Sequence, residues 1–148
     1  MGYWKRRRLA NYNYSDNGLY FITICCQQKE NYFWETDKSD NGRIKLTEAG
    51  KITADTIESI QNRYENTRID NYVVMPNHVH FIIELSDSET NLSVIINQLK
   101  GLVSRRLGYS PWQRSFHDHI IRGEKDYEMI WNYIEANPLK WDEDKYFL

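Results

Sequence analysis

The sequence predicts an α+β domain: a four-stranded antiparallel sheet, two helices on one face of it, and a further helix near the C-terminal end. Three observations lead there. Short runs rich in β-formers alternate with two stretches of helical period, in the order β-α-β-β-α-β. Two of the runs, residues 72–75 and 78–85, are separated only by Pro76-Asn77, a link that suits an antiparallel connection and no crossover. At 148 residues, 41% apolar and 27% charged, the chain suffices for one domain with a sizeable core.

Taken in order, residues 1–17 are basic, then polar, and read as an arm ahead of a single domain over 18–148. Residues 19–26 (LYFITICC) form a nearly continuous apolar run, the pattern of a buried strand. Its last residues, Cys25 and Cys26, point to opposite faces, so they neither bridge each other nor share a metal, and a reduced, cytoplasmic setting fits them. A hairpin is expected next, residues 31–35 and 43–46 flanking the turn signal Asp40-Asn41-Gly42. From Thr47, a capping residue, Ala49, Ile52, Thr56, Ile57, Ile60 and Tyr64 recur at helical spacing. After the two strands at 72–75 and 78–85, Leu92, Ile95, Ile96, Leu99, Val103 and Leu107 mark a second helix, stopped by Gly108. Residues 115–121 read as the fourth strand, and 124–137 as a last helix halted by Pro138. This order is that of the ferredoxin-like split βαβ arrangement, which fixes no function by itself.

Composition excludes more than it assigns. No apolar segment follows the basic N-terminus, so a signal peptide is not expected, and Arg6 stands where a myristoylation signal needs Ser or Thr. No apolar stretch is long enough to cross a bilayer, so no membrane partner is expected. The net charge of −2 does not advertise a nucleic-acid partner, but its distribution is uneven. Lys5, Arg6, Arg7 and Arg8 lie together beside Trp4, Lys100, Arg105 and Arg106 line the second helix, and Arg114 and Arg122 bracket the fourth strand. These residues are either solvated surface or contacts to phosphates along a groove.

The strongest local signal is Pro76-Asn77-His78-Val79-His80-Phe81. Alternation on a strand gives His78 and His80 one face, and Val79, Phe81, Ile83 and Leu85 the other. Two imidazoles then stand side by side, spaced to chelate a divalent ion or, equally, as two residues of a half-buried strand. In the last helix Tyr133 and Asn137 stand four apart, on one helical face. The Asn137 carboxamide is a neutral oxygen ligand suited to Mg²⁺ or Mn²⁺, although a tyrosine packed on a helix and an asparagine before proline serve structure just as well. His117 and His119 also share a face of the fourth strand, where they form either a second metal pair or sheet structure that supports the site. Trp112 and Phe116 read as packing rather than as platforms for bases.

Three ordered strings, Tyr72-Val73-Val74-Met75-Pro76-Asn77-His78-Val79-His80, Trp112-Gln113-Arg114-Ser115-Phe116-His117-Asp118-His119-Ile120-Ile121-Arg122 and Tyr133-Ile134-Glu135-Ala136-Asn137-Pro138, closely resemble the one-tyrosine HUH transposases, and within them the REP-associated branch. The resemblance implies that His78 and His80 are metal ligands completed by Asn137, that the metal is Mg²⁺ or Mn²⁺, and that the last helix carries the nucleophile, Tyr133. Tyr127 is the rival, and it has Trp131 rather than a ligand four residues on. The implied reaction cleaves and rejoins single-stranded or hairpin DNA, with palindromic repeats as targets, through a 5′-phosphotyrosine. The implied assembly is a monomer or a homodimer. A replication initiator or relaxase shares the metal pair and the tyrosine, and a catalytically silent nucleic-acid-binding module shares the fold; both stand as alternatives at this stage.

Overall fold

The computed structural model of the protein describes residues 18–35, 44–86 and 90–139. The expected arm, with Lys5, Arg6, Arg7 and Arg8, and the turn at Asp40-Asn41-Gly42 lie outside the described residues. The elements are β1 (Gly18–Cys25), α1 (Glu48–Arg63), β2 (Thr67–Val74), β3 (His78–Leu85), α2 (Leu92–Leu107), β4 (His117–Ile120) and α3 (Glu124–Ala136). The four strands form one antiparallel sheet in the order β2-β3-β1-β4, the ferredoxin-like order expected from the sequence.

Both helices of the first layer begin and end where their residues say they should. The Thr47 hydroxyl accepts the Gly50 N–H at 3.0 Å and so caps α1. Asn91 does the same for α2 through the Val94 N–H at 2.9 Å, and Gly108, at φ 84°, ends that helix in the left-handed region. Ile57 and Ile60 of α1 and Ile95, Ile96, Leu99 and Val103 of α2 pack onto Tyr20, Ile22 and Ile24 of β1 and Val79, Phe81 and Ile83 of β3. Trp112 is buried in this core against Phe33, ring centroids 5.5 Å apart, and Phe116 packs at its margin, so both are packing residues as read. Cys25 and Cys26 are buried free thiols, and burial pushes Cys26 well above the usual thiol range.

The opposite face of the sheet is covered over β1, β2 and β3. Ile130 and Ile134 of α3 pack with Leu19, Val73, Met75, Ile82 and Ile121, a second apolar cluster. The domain is therefore three layers, and what lies under α3 is buried rather than open.

Two strands differ from expectation. β2 starts five residues earlier than the apolar run because the register slips between Ile69 and Asn71. Asp70 is the extra residue of a bulge, and an extra residue inverts the alternation on either side of it. Ile69 consequently pairs with Ile83 on the α1–α2 side, while Asn71 pairs with Ile82 on the α3 side. β4 is shorter than expected, because pairing with β1 is confined to His117–Ile120. Of the expected hairpin, one bridge is present, Trp34 to Leu46, with the Glu35 N–H donating to the Lys45 carbonyl at 2.8 Å.

Gly50 is the tightest point of the α1 attachment. A Cβ there would stand 2.4 Å from the Phe33 carbonyl oxygen, which itself accepts the Thr47 N–H at 2.8 Å. Gly50→Ala must push that backbone away and is expected to cost roughly 1–3 kcal/mol. A urea melt would show it as a lower midpoint with an unchanged slope.

Among the described residues no helix is long and apolar enough to cross a membrane.

Candidate active site

His78 and His80 occupy adjacent same-face positions of β3 and are fully buried under α3. Their rings lie 4.7 Å apart, inclined at 76°. Each ring is held by a neutral partner. The Asn77 side chain donates from Nδ2 to the Lys29 carbonyl at 3.2 Å, which orients the carboxamide so that its Oδ1 faces His78 Nδ1 at 2.7 Å. An oxygen that only accepts requires His78 Nδ1 to carry the proton, so the lone pair is on Nε2. His80 Nδ1 meets the Thr23 hydroxyl at 2.9 Å, across the β1–β3 register pair Thr23–His80. Anchoring one ring nitrogen to a neutral protein group is how ligating histidines are oriented in metal sites.

Tyr133 approaches from α3. Its ring is edge-on to His80 at 5.4 Å and to Phe21 at 6.0 Å, and Phe21 in turn stacks on His80 at 5.2 Å. Asn137 follows one turn later at the helix end, where its N–H donates to the Tyr133 carbonyl. It is 3% exposed, and its Nδ2 has no hydrogen-bond partner. A buried amide donor without a partner is costly, and a half-turn of the carboxamide sets an oxygen in the same place. An oxygen there fits a cation better than the nitrogen fits nothing.

The candidate donors are thus two imidazoles and one carboxamide, and no cluster of three or more His, Cys, Asp or Glu is found among the described residues. Neutral nitrogen and oxygen donors of this kind fit a divalent ion that also takes oxygens from a phosphate.

Tyr127, the rival tyrosine, is engaged elsewhere. Its hydroxyl donates to Asp70 Oδ2 at 2.8 Å, the residue that the β2 bulge presents to α3. Asp70 also receives Arg68 Nε at 2.8 Å. The bulge therefore anchors the first part of α3, and Tyr133, six residues on, is the tyrosine that meets His80.

The basic residues fall in different places. Arg105 and Arg106 are exposed in the last turn of α2, on the side of the sheet opposite α3. Arg114 and Arg122 are exposed at either end of β4. Lys100 is tied down: its ammonium donates to the Gln113 and Arg114 carbonyls at 2.7 and 3.0 Å, and burial lowers its pKa. His117 and His119 lie on the α3 side of β4, opposite Thr23 and Phe21, and His119 Nε2 donates to Asp126 Oδ2 at 2.9 Å.

Thr23 and Asn77 were not singled out by sequence reasoning. Thr23 does carry a signal, as the one aliphatic hydroxyl residue in the run LYFITICC, on the face away from Ile22 and Ile24. Asn77 reads only as a turn residue, and its role depends on the loop at Lys29 reaching it.

The profile of the family described as "Transposase IS200 like" matches residues 16–137. A Haemophilus influenzae protein described as uncharacterized is 34% identical to the chain, covering 95% of it and 91% of that protein. A second protein of that organism, named a putative REP-associated tyrosine transposase, is 26% identical and covers 89% of this chain and 77% of its own length. Among solved structures, that of a REP-associated tyrosine transposase bound to a REP hairpin superposes with a TM-score of 0.65 at 22% identity, over 90% of this chain and 74% of that one.

Proposed function

The chain belongs to the IS200-like transposase family, and on that premise we propose that it cleaves and rejoins single-stranded DNA with Tyr133 as nucleophile and His78, His80 and Asn137 as the metal-binding set. The observation that supports this most is the 5.4 Å contact of the Tyr133 ring with His80, itself 4.7 Å from His78, while the Tyr127 hydroxyl is bonded to Asp70.

In the proposed reaction the Tyr133 hydroxyl oxygen forms a bond to the phosphorus as the bond to the 3′ oxygen breaks. The tyrosine proton goes to solvent, and the departing 3′ oxygen takes one up. The 5′ phosphate remains as a tyrosine ester, so a 3′-OH attacking it later reverses the step without ATP. Mg²⁺ or Mn²⁺ bound at the three ligands would offset the negative charge that builds on the phosphate and the leaving oxygen. Asn77 fixes the tautomer and orientation of His78, Thr23 fixes the orientation of His80, and Phe21 and His80 hold the Tyr133 ring in place between them. Tyr133 and His80 of one chain are already in contact, which supports a site completed within a monomer. The hairpin bound by the structural relative supports a hairpin-bearing single strand, as in palindromic repeats, as substrate. A DNA substrate and free buried thiols fit work in the cytoplasm.

The test is a labelled hairpin oligonucleotide incubated with the protein, with and without Mn²⁺. A metal-dependent, protein-linked 5′ product is expected, and binding without any cleavage under either condition would instead favour the silent DNA-binding module.

The basic arm is proposed to add affinity, not chemistry. Replacing Arg6, Arg7 and Arg8 with Ala should weaken strand binding and flatten the slope of log K against log salt by up to about 2, the value for three phosphate contacts to a single strand. Fluorescence anisotropy across a salt series reads both; an unchanged slope would make the arm mere solvated chain.

A further inference from the structure

At the end of the sheet where β3 begins, two tyrosines that the cleavage step does not use lie ring to ring. Tyr32 and Tyr109 have centroids 5.9 Å apart and planes inclined at 34°. Tyr32 is half-buried and packs on the core of the α1–α2 side. Tyr109, the first residue after the glycine that ends α2, is 48% exposed. Backed by Tyr32, the Tyr109 ring leaves a face to water. An aromatic face that the fold supports on one side and leaves open on the other suits the stacking of an unpaired base.

The backbone around both rings is tied down. The Tyr32 N–H donates to the Pro76 carbonyl at 3.1 Å, two residues before His78, and the Tyr32 carbonyl accepts the Thr47 hydroxyl at 2.6 Å. Gln27 fastens this segment to the stretch after Tyr109. Its backbone N–H donates to the Pro111 carbonyl at 2.7 Å, and its side-chain amide to the Ser110 carbonyl at 3.0 Å. Between these ties Gln28 and Lys29 both occupy the left-handed region, at φ 53° and 54°, a costly conformation for residues with a Cβ that the bonds on either side hold in place. The two tyrosines are therefore fixed in their spacing before any ligand arrives. Lys29 is exposed in the first segment, and Arg105 and Arg106 are exposed in the last turn of α2, just ahead of Tyr109. Glu30 is the one carboxylate within residues 27–32, and residues 105–111 hold none. Cations in excess around an open aromatic face fit a nucleic-acid strand, which carries both flat rings and negative phosphates.

We propose that Tyr109, backed by Tyr32, is a stacking platform for one unpaired base of the DNA flanking the hairpin, with Lys29, Arg105 and Arg106 contacting the neighbouring phosphates. A strand leaving the metal site past the Pro76-Asn77 turn would meet this rim. The inference rests on the single-strand reading given above and adds a contact surface away from the residues that act in cleavage.

The experiment compares two labelled oligonucleotides, a blunt hairpin and the same hairpin with unpaired extensions at both ends. Binding to the full chain is read by fluorescence anisotropy in EDTA, where cleavage is not needed. Tyr109→Ala should weaken binding of the extended hairpin about tenfold and of the blunt one less than about twofold, the loss of one base–aromatic stack. Tyr109→Phe keeps the ring and should stay within about twofold of wild type on both. Tyr109→Leu, which keeps apolar contact with Tyr32 but has no flat ring, should lose as much as the Ala variant and replaces it if circular dichroism shows that variant unfolded. Changing Arg105 and Arg106 to Gln should flatten the slope of log K against log salt by up to about 1.4, the value for two phosphate contacts to a single strand. Unchanged binding by folded Tyr109→Ala or Tyr109→Leu overturns the platform, as does an equal loss on both hairpins, or a Tyr109→Phe as weak as the Ala variant. An unaltered salt slope overturns the phosphate contacts. In each of these cases wild type still binds the strand, so the single-strand reading stands; a wild type that binds neither hairpin would sink that reading and the platform with it.

Discussion

Tyr133→Phe is expected to reduce strand cleavage by at least about three orders of magnitude while leaving the fold and DNA binding nearly intact, because the only covalent route is removed. The change deletes one oxygen and keeps the ring, so the edge contacts with His80 and Phe21 at 5.4 and 6.0 Å persist. The matching variant, Tyr127→Phe, should keep most activity. It loses the hydrogen bond to Asp70, a change worth about 1 kcal/mol of stability, while Asp70 keeps its Arg68 partner. The assay is the labelled hairpin with Mn²⁺ on a denaturing gel. An active Tyr133→Phe, or an inactive Tyr127→Phe that still folds and binds, would move the nucleophile elsewhere.

The second large effect is expected at the histidines. His78→Ala and His80→Ala should each weaken Mn²⁺ binding roughly a hundredfold or more, since even removal of a partner that orients a ligand commonly costs ten- to a hundredfold. Asn77→Ala supplies that lesser case: it frees the His78 ring and should lower affinity about tenfold without removing a ligand. Both imidazoles are buried, so the Ala variants also leave a void, and in His80→Ala the Thr23 hydroxyl loses its partner, a cost of roughly 1–3 kcal/mol. Circular dichroism must therefore accompany the calorimetry, with His80→Gln as a variant that keeps a polar group at the site. Unchanged Mn²⁺ affinity in folded His78→Ala and His80→Ala proteins would exclude the metal site.

What could be read in advance depended on how local the signal was. α1 and α2 were legible because their apolar residues repeat at the helical period and Thr47 and Gly108 mark ends. β3 was legible because His78, His80 and the apolar residues between them alternate without interruption. β2 was only half legible, because the bulge at Asp70 inverts the alternation and makes residues 67–71 look like loop. The family resemblance supplied what spacing alone could not, the expectation that Tyr133 and Asn137 join the histidines, and the Tyr133 ring does lie 5.4 Å from that of His80. Two things stayed out of reach because they are made by contacts between distant segments. One is the second apolar cluster beneath α3, in which Leu19 meets Ile130 and Ile134. The other is the set of partners that hold the imidazoles, Thr23 lying 57 residues from His80. Lys100 illustrates the converse: a charge that reads as surface on a helix is bonded to two carbonyls ahead of β4.

The central claim, that Tyr133 and no other of the 11 tyrosines takes the phosphate, is tested most directly by mapping the covalent adduct. Full-length protein is incubated with the hairpin strand and Mn²⁺, denatured, digested with protease and nuclease, and analysed by mass spectrometry for a peptide carrying a nucleotide phosphate. The account predicts one modified peptide, containing Ile134-Glu135-Ala136-Asn137, with the added mass on Tyr133 and linked to the 5′ end of the strand. The nucleotide on Tyr127, or on any tyrosine outside α3, would contradict it.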